Sequence, residues 1–556
     1  MKKSKALMSA VIAAGACVAA FAAEVTIRRS AAYPDTVVFE GRMRTKDGVE
    51  LYTLGVAPVA GERHPIVVTR NPYVKEELQD MEKWAKSHRE YVRRGYARVH
   101  QHCRGCGMSG GDWIPYESER EDGLELLEFV RRLPWYNGEI YLSGGSYCAS
   151  VHWAYLDTDP QDVKGAALMV QEVDRYNICY RNGFFKIGLH GNWFVKGYKK
   201  KDRTLKRDDS VSFRQFPLCD FPKRRFGEEV PTMSNVLGHP RADDPFWSSN
   251  LPGSGVDYRN AFKKSSMPIL LNAAFYDIYT EGLCEMWRET PAQRKANCAL
   301  LIEAYGHSGA APKDPPSGFM KFPGGSRREA GAGALDWFDS IRSGSVCSNA
   351  APGKTRYYAL WENAWKEARS LENGKRKVGL KLGEGIHSYR YDPLRTPPEF
   401  PGSGGICFGG MAVQPPPSVR DDVISFLLPA VQEQMDVRGR MEAELSVSSD
   451  CADTCFYVRI SVDKGDGAWL LLRDDIASLA SSSPYVPGTK RTVRFRFADH
   501  AFRLSKGDRL RVDVASANPQ FAPHPNTAGD AFSAKRPKVA ENTVFASESQ
   551  LTIFAD

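Results

Sequence analysis

The chain has 556 residues, of which 42% are hydrophobic and 26% charged, and its formal net charge at neutral pH is +8. A chain of this length exceeds one ordinary hydrophobic core, so two or three domains are expected. The composition excludes a disordered or fibrous protein. The mild charge, without a recognisable basic module, excludes nucleic acid as an expected partner.

The first 22 residues have the three parts of a secretory signal peptide. Three lysines precede an apolar run at 6–22, and Ala20-Phe21-Ala22 forms a small-x-small cleavage site. An uncleaved membrane anchor is the alternative, but the run is short for a span of about 20 residues. A lipoprotein attached through Cys17 is a weaker alternative, since the preceding residues lack the usual leucine. We expect a periplasmic or secreted protein without a stable membrane span.

Short β-rich runs alternate with amphipathic helices from about residue 37 to residue 155. The predicted strands are 65–69, 96–100 and 140–142, and the predicted helices are 79–94, 121–133 and a segment after Ser146. Strands that alternate with helices predict a mostly parallel sheet covered on both faces.

The stretch from about Glu172 to Asp257 interrupts this rhythm with aromatic residues, basic residues and prolines, and is predicted to be an inserted subdomain. The rhythm returns with strands at 267–271 and 299–302. After about Arg369 the helical periodicity fades, and short alternating runs are separated by Gly, Pro, Asp and Ser. This pattern is typical of an all-β sandwich or jelly roll.

The segment Ser143-Gly144-Gly145-Ser146-Tyr147-Cys148-Ala149 lies between a predicted strand and a predicted helix. A serine in that context sits on a sharp turn with its hydroxyl exposed above the sheet. Gly144, Gly145 and Ala149 supply the small neighbours that such a turn requires. Gly-Gly-Ser is common in loops, so the strand–turn–helix setting is what makes Ser146 the candidate nucleophile.

A nucleophilic serine needs an adjacent base, and in α/β-hydrolases the acid and then the histidine follow the serine in the chain. Two downstream strands end in such residues, the first at Asp277 and the second at His307. Because the carboxyl ends of parallel strands meet at one edge of a sheet, these residues can converge on Ser146. Either residue alone is an ordinary turn, surface or core residue, but the order favours a triad. The backbone N–H of Tyr147 is the expected oxyanion donor.

Several separate motifs, in one order along the chain, resemble the cocaine-esterase and X-Pro dipeptidyl-peptidase-like (CocE/NonD) hydrolases. They are Arg70-Asn71-Pro72-Tyr73-Val74-Lys75, Arg94-Gly95-Tyr96-Ala97, Gly144-Gly145-Ser146-Tyr147, Tyr276-Asp277, Gly306-His307-Ser308, Ser516-Ala517-Asn518-Pro519 and Pro525-Asn526-Thr527-Ala528-Gly529. The likeness spans roughly residues 45–526.

The resemblance implies an α/β-hydrolase core at 23–173 and 259–368. It also implies an inserted helical cap at 174–258 and a C-terminal jelly roll of the galactose-binding type at 369–556. The family pattern assigns a second oxyanion donor, the hydroxyl of Tyr73, and places Tyr279 in the acyl pocket. Neither a cofactor nor a metal is expected.

The chain departs from the family pattern at two places. Ala149 stands where the family often has glycine, an extra methyl group that a slight helix shift accommodates. The family's Asp-x-Arg-Gly loop is replaced by residues 102–106, which carry Cys103 and Cys106. His100 and His102 with these two cysteines allow a zinc site, but a disulfide or packed thiols is favoured. Cys451 and Cys455 form a second close pair that export would allow to bridge.

Relatives that act on α-amino acid esters carry carboxylates just after the catalytic Asp, to hold the substrate ammonium. Here residues 278–280 are Ile, Tyr and Thr, and Glu281 comes later. We therefore expect a serine hydrolase that cleaves an acyl ester or amide of a small molecule through an acyl-enzyme. An X-Pro dipeptidyl peptidase acting on short peptides with the same triad is the alternative. A non-enzymatic carbohydrate-binding protein, suggested by the jelly roll, is least favoured. The sequence leaves a homodimer open.

Overall fold

The computed structural model of the chain describes residues 25–59, 63–75, 80–171, 173–197, 208, 210–212, 214–249, 257–307, 320, 322–323, 332–347, 350–395, 411–417 and 419–556. The predicted signal peptide lies outside these residues. Across the described part of the chain, no helix has the length and apolar character needed to cross a bilayer.

The core is an eleven-stranded sheet in the order β1-β2-β3-β5-β4-β6-β7-β10-β11-β12-β13. Its strands are β1 (Val25–Arg29), β2 (Thr36–Arg44), β3 (Glu50–Pro58), β4 (His64–Asn71), β5 (Ala97–His102), β6 (Tyr136–Gly145), β7 (Val163–Met169), β10 (Ile269–Tyr276), β11 (Ala299–Gly306), β12 (Thr355–Ala359) and β13 (Ala364–Ala368). Strands from β5 to β12 in this order pair in parallel, whereas β1, β2, β3 and β13 pair antiparallel at the two edges. The predicted parallel sheet is confirmed.

The helices of the structure are α1 (Met81–Ser87), α2 (Arg89–Arg93), α3 (Glu119–Arg131), α4 (Tyr147–Trp153), α5 (Arg175–Cys179), α6 (Ile187–Gly197), α7 (Phe221–Phe226), α8 (Pro231–Gly238), α9 (Tyr258–Lys264), α10 (Thr280–Glu289), α11 (Ala292–Lys295) and α12 (Ala332–Ser343). The prediction of one continuous helix at 79–94 is wrong, because His88 leaves the helical region at φ −113° and separates α1 from α2.

Both faces of the sheet are buried, as the alternation of side chains along a strand requires. In β4, Ile66 and Val68 join a large cluster that includes Leu126 of α3 and Trp153 of α4. Val67 between them joins a second cluster with Phe338 and other side chains of α12. The near-continuous apolar run of the strand follows from this burial on both sides.

The insertion between β7 and β10 is mainly helical. It carries α5 to α9 and a short hairpin of β8 (Tyr180–Arg181) and β9 (Phe184–Phe185). Its aromatic side chains form a hydrophobic cluster that includes Tyr180, Phe194 and Trp247. The same cluster includes Phe532 of the C-terminal domain, so the insertion packs against that domain.

The C-terminal domain contains two antiparallel sheets packed as a β-sandwich. The first has eight strands, β14 (Arg376–Lys381), β15 (Ile386–Tyr391), β18 (Met435–Gly439), β19 (Glu442–Ser449), β22 (Arg491–Arg496), β23 (His500–Leu504), β25 (Ala540–Phe545) and β26 (Gln550–Ala555). The second has five strands, β16 (Val413–Gln414), β17 (Ile424–Leu427), β20 (Cys455–Asp463), β21 (Trp469–Ser478) and β24 (Arg509–Ala515). The predicted all-β domain is confirmed.

Candidate active site

Ser146 occupies the sharp turn between β6 and α4. Its backbone has φ 55° and ψ −132°, a conformation that a residue with a side chain rarely adopts. Its N–H donates to the carbonyl of Met169 on the neighbouring strand, at 2.9 Å. A Cβ atom on Gly144 would lie 2.0 Å from the carbonyl oxygen of Cys148, so only glycine allows β6 and α4 to approach this closely. The turn therefore holds the serine hydroxyl above the carboxyl edge of the sheet.

The structure brings His307 and Asp277 to this hydroxyl. Asp277 directly follows β10 and His307 directly follows β11, and these two strands pair in parallel. The Ser146 Oγ lies 2.9 Å from the His307 Nε2, and the His307 Nδ1 is hydrogen-bonded to an Asp277 carboxylate oxygen. The other Asp277 oxygen accepts from the N–H of Tyr279 at 2.7 Å. A hydroxyl, an imidazole and a buried carboxylate thus form one continuous hydrogen-bonded chain.

Two opposing effects set the pKa of His307. Burial favours the neutral imidazole and lowers the pKa, whereas the adjacent Asp277 carboxylate attracts the imidazolium and accepts its hydrogen bond. The carboxylate outweighs burial, so the pKa of His307 lies above its ordinary value of 6.5. The imidazole is therefore a stronger base than the same group would be without Asp277.

Tyr73 lies beside Ser146 from the turn that follows β4. The residue as a whole is about half exposed, and its main-chain N–H donates to the Asn71 side chain at 2.8 Å. Burial around the hydroxyl raises the pKa of Tyr73 well above its ordinary range, and hydrogen bonds with Trp193 and Ser146 oppose that rise. The phenol is neutral at physiological pH and can donate its proton into the site.

Tyr147 opens helix α4, so its N–H is one of the first amides of the helix, which have no intrahelical acceptor. Its side chain points away from the cleft into a buried network. The hydroxyl donates to Glu119 at 2.9 Å, and Glu119 accepts from the fully buried Arg70 at 2.7 Å. Burial raises the pKa of Glu119, and the charge of Arg70 opposes that rise. This network fixes the start of α4 from below.

Tyr279 packs against the imidazole. The two rings are 5.6 Å apart between centroids in an edge-to-face arrangement, which places Tyr279 next to His307. The ammonium of Lys186, a buried residue of the insertion, lies 6.0 Å from the centre of the Tyr279 ring. The side chain of the lysine also donates to the carbonyl of Asn177. A cation of the insertion and the Asp277 carboxylate, which accepts from the Tyr279 N–H, thus both lie near Tyr279.

Ion pairs join all three parts of the structure behind Asp277. Arg181 of the insertion pairs with Glu281 of α10, and with Asp475 of the C-terminal domain at 2.8 Å. Arg440 of the C-terminal domain pairs with Glu285 of α10 at 2.7 Å. A cavity of about 300 Å³ lies among these groups and is lined in part by Asp277. Helix α10, which begins three residues after Asp277, is thus held from two sides.

Neither close cysteine pair forms a disulfide. Cys103, Cys106, Cys451 and Cys455 are buried thiols outside any disulfide. The first two pack with Trp113, Tyr147 and Val151 beneath α4. The Nδ1 of His102 accepts from the N–H of Met108 at 3.2 Å, and no group of three or more metal-ligating side chains converges within the described ranges. Cys103 and Cys106 are therefore packed thiols, whereas the thiols of Cys451 and Cys455 donate to the backbone carbonyls of Val539 and Ser516.

Three residues beside the site were absent from the sequence predictions: Asn71, Lys186 and Trp193. The Asn-Pro-Tyr segment does hold a readable signal for the first, because an asparagine side chain often closes a turn two residues on. Lys186 and Trp193 belong to the insertion, and their distance along the chain from the triad residues does not indicate whether they contact them. Only the folded chain places them here.

Fold and site together define an α/β-hydrolase with the side-chain arrangement of a serine hydrolase. Comparison with known proteins gives the family. Residues 47–309 match the model of the X-Pro dipeptidyl-peptidase (S15 family), and residues 373–551 match the X-Pro dipeptidyl-peptidase C-terminal non-catalytic domain. The cocaine esterase of Rhodococcus sp. (strain MB1 Bresler) is 23% identical over 537 residues, which cover 87% of this chain and 91% of that relative.

Solved structures show the same fold over nearly the whole length. An α-amino acid ester hydrolase superposes with a TM-score of 0.78 at 19% identity, covering 96% of this chain and 98% of the other. An aminopeptidase from a marine sediment Thaumarchaeota archaeon superposes with a TM-score of 0.76 at 17% identity, covering 95% and 97%. The chain belongs to the cocaine-esterase and X-Pro dipeptidyl-peptidase-like family, and it is an enzyme of the serine hydrolase type.

Proposed function

We propose that this enzyme hydrolyses an acyl ester or amide through an acyl-enzyme on Ser146, with His307 as the base and Asp277 as its partner. The observation that carries the proposal is the unbroken chain from the Ser146 hydroxyl through the imidazole to the Asp277 carboxylate. His307 accepts the serine proton as Ser146 attacks the carbonyl carbon, and then returns it to the leaving group. His307 then takes a proton from water, which attacks the acyl-enzyme, and returns the proton to Ser146 as the carboxylic acid leaves.

Two donors are placed for the negative oxygen of the tetrahedral intermediate. The N–H of Tyr147 has no helical acceptor, and the Tyr73 phenol interacts with the Ser146 side chain. Donors that are fixed before the reaction stabilise the charge without reorganising. We assign the oxyanion hole to these two groups.

The residues that follow Asp277 favour an uncharged acyl group over a substrate bound through its α-ammonium. The residues after Asp277 up to Thr280 carry no carboxylate, and Glu281 is paired with Arg181. Esterase or acylase activity therefore fits the site better than the X-Pro dipeptidyl-peptidase activity for which the family is named.

Steady-state kinetics test the assignment and the choice of substrate. We expect turnover of p-nitrophenyl butyrate by the wild type, a loss of at least about a thousandfold for Ser146→Ala, and little change for Ser150→Ala. Ser150 is a matched control because it lies one helical turn on and its hydroxyl donates to the Ser146 carbonyl, at 3.4 Å, rather than to the triad. Faster hydrolysis of an Ala-Pro anilide than of the ester would favour the dipeptidyl peptidase instead.

We also propose that the chain is exported and that its leader is removed after Ala22. The support is the basic start, the apolar run and the small-x-small site of residues 1–22. N-terminal sequencing of protein recovered from the periplasm or medium of an expressing bacterium should begin at Ala23. Recovery of the intact leader in the cytoplasmic fraction would count against export.

A further inference from the structure

We infer that Trp193 of the insertion is a positioning residue for the oxyanion hole, because its indole N–H donates to Tyr73 and thereby directs the Tyr73 proton toward Ser146. The inference rests on the proposed role of Tyr73 as an oxyanion donor. It assigns to the insertion a part in assembling the catalytic centre.

The contact joins two separate parts of the fold. Trp193 lies on α6 of the insertion, and Tyr73 follows β4 of the core. The Nε1 of Trp193 lies 3.3 Å from the hydroxyl oxygen of Tyr73. The Tyr73 phenol also interacts with the Ser146 side chain, and its ring packs on Trp113, which contacts Tyr147, the residue after Ser146. The Tyr73 hydroxyl thus stands between a residue of the insertion and the nucleophile.

The chemistry of the two side chains fixes the direction of this hydrogen bond. An indole N–H can only donate, whereas a phenol hydroxyl can donate or accept. Trp193 must therefore donate, and Tyr73 must accept. The Tyr73 proton then has no acceptor on the Trp193 side and is left for Ser146, or for the oxygen that becomes negative in the transition state. A hydroxyl that accepts a hydrogen bond is also a better donor, since the two bonds polarise each other.

Packing fixes the orientation of the indole independently of Tyr73. The Trp193 ring makes an edge contact with Trp113, at 6.2 Å between centroids, and lies 5.8 Å from Tyr147. Trp113 in turn makes edge contacts with Tyr73 at 6.3 Å and with Tyr147 at 5.4 Å. These rings hold Trp193 in place, so its N–H is directed before substrate binds. A direction set in advance is what an oxyanion donor requires.

A double-mutant cycle tests the inference. Tyr73→Phe should lower kcat for p-nitrophenyl butyrate by about 100- to 1000-fold, as the loss of an oxyanion donor does. Trp193→Phe keeps a ring but removes the N–H, and should lower kcat about 5- to 10-fold with KM within about twofold, the loss of one neutral hydrogen bond. The double variant should be no slower than Tyr73→Phe alone. Affinity for a boronic acid that forms a tetrahedral adduct on Ser146 should fall by the same factor as kcat.

Trp337→Phe is the matched control. Its indole is buried against the other face of the sheet, away from Tyr73, and its Nε1 has no acceptor among the described residues. This variant should change kcat by less than about threefold, since no hydrogen bond is lost. Benzothienylalanine at position 193, which has the shape of tryptophan with sulfur in place of N–H, provides a second variant that preserves packing. It should reproduce the loss seen with Trp193→Phe.

The outcomes separate this inference from the proposed function. An equal Trp193→Phe loss in the wild-type and Tyr73→Phe backgrounds would overturn the inference, since Trp193 would then act without the Tyr73 hydroxyl. A large loss for Tyr73→Phe together with full activity of both Trp193 variants would also overturn it, while leaving Tyr73 as a donor. Full activity of Tyr73→Phe would remove the proposed donor and this inference together, and would leave the triad standing.

Discussion

Two adjacent glycines before Ser146 offer a matched pair of substitutions with opposite expected results. A Cβ on Gly144 would lie 2.0 Å from the carbonyl oxygen of Cys148 and 2.4 Å from its carbonyl carbon. A Cβ on Gly145 would meet nothing closer than a methyl group of Val170, at 3.8 Å. Both changes add one methyl group, so the difference between them isolates the close approach of β6 to α4.

The expected magnitude follows from the required movement. Cβ atoms essentially never come within 3.0 Å of backbone atoms, so Gly144→Ala must separate the strand and the helix by about 1 Å. A displacement of about 1 Å at a reacting group lowers the rate on the order of 100-fold, and the overpacking destabilises the fold by about 1–3 kcal/mol. Gly145→Ala should keep the rate within about twofold and raise stability by at most ~1 kcal/mol, through the unfolded chain.

Measurements of kcat with p-nitrophenyl butyrate and of the melting temperature test this reasoning together. We expect Gly144→Ala to lose both rate and stability and Gly145→Ala to lose neither. Equal behaviour of the two variants would refute the argument, because it would mean that the contact between Gly144 and Cys148 does not position Ser146.

Two further predictions concern the pKa of His307 and the buried ion pair of Arg70. In the wild type, kcat/KM should fall as the pH drops through the raised pKa of His307, so the midpoint of the acid limb lies above pH 6.5. Asp277→Asn should lower kcat roughly 10⁴-fold. It should also move that midpoint below the ordinary histidine value of 6.5, because burial then acts on the pKa of His307 alone. A pH–rate profile with the same acid midpoint as the wild type would disprove the assigned pairing. Arg70→Met leaves the charge of the buried Glu119 uncompensated and should reduce the free energy of unfolding by about 3–5 kcal/mol. Arg241→Ala, the control, breaks an exposed pair with Asp243 and should have no measurable effect in the same denaturant titration. Equal losses would contradict that ranking.

The parts of the fold that follow local rules could be predicted from the sequence. Strands such as β4 and β10 carry apolar runs that burial on both faces requires, and helix α3 shows the spacing of an amphipathic helix. The elbow at Ser146 was recognisable because glycine is needed where a strand and a helix meet closely. The order of serine, acid and histidine then placed the remaining two side chains at strand ends.

Features that depend on contacts between distant residues could not be predicted in the same way. His88 interrupts a helix whose periodicity looks continuous, while its ring packs on Trp84, at 3.8 Å between centroids. Cys103 and Cys106 are close in sequence, yet they pack with Trp113 rather than with each other as a disulfide. The spacing of residues along the sequence indicates neither the direction of a side chain nor the residues that it contacts.

The same limit applies to the site. Nothing in the composition of the insertion distinguishes Trp193 from its other aromatic residues before the fold is known. Its contact with Tyr73 spans 120 positions of the chain, and no local pattern reports on such a separation. Predicting the chemistry of the site was therefore easier than predicting what surrounds it.

Covalent labelling of the nucleophile tests the central claim most directly. A fluorophosphonate should form a single adduct, which peptide mass spectrometry would locate at Ser146, and the rate of labelling should fall sharply in His307→Ala. An adduct on another residue, or labelling of Ser146→Ala at the wild-type rate, would contradict the account.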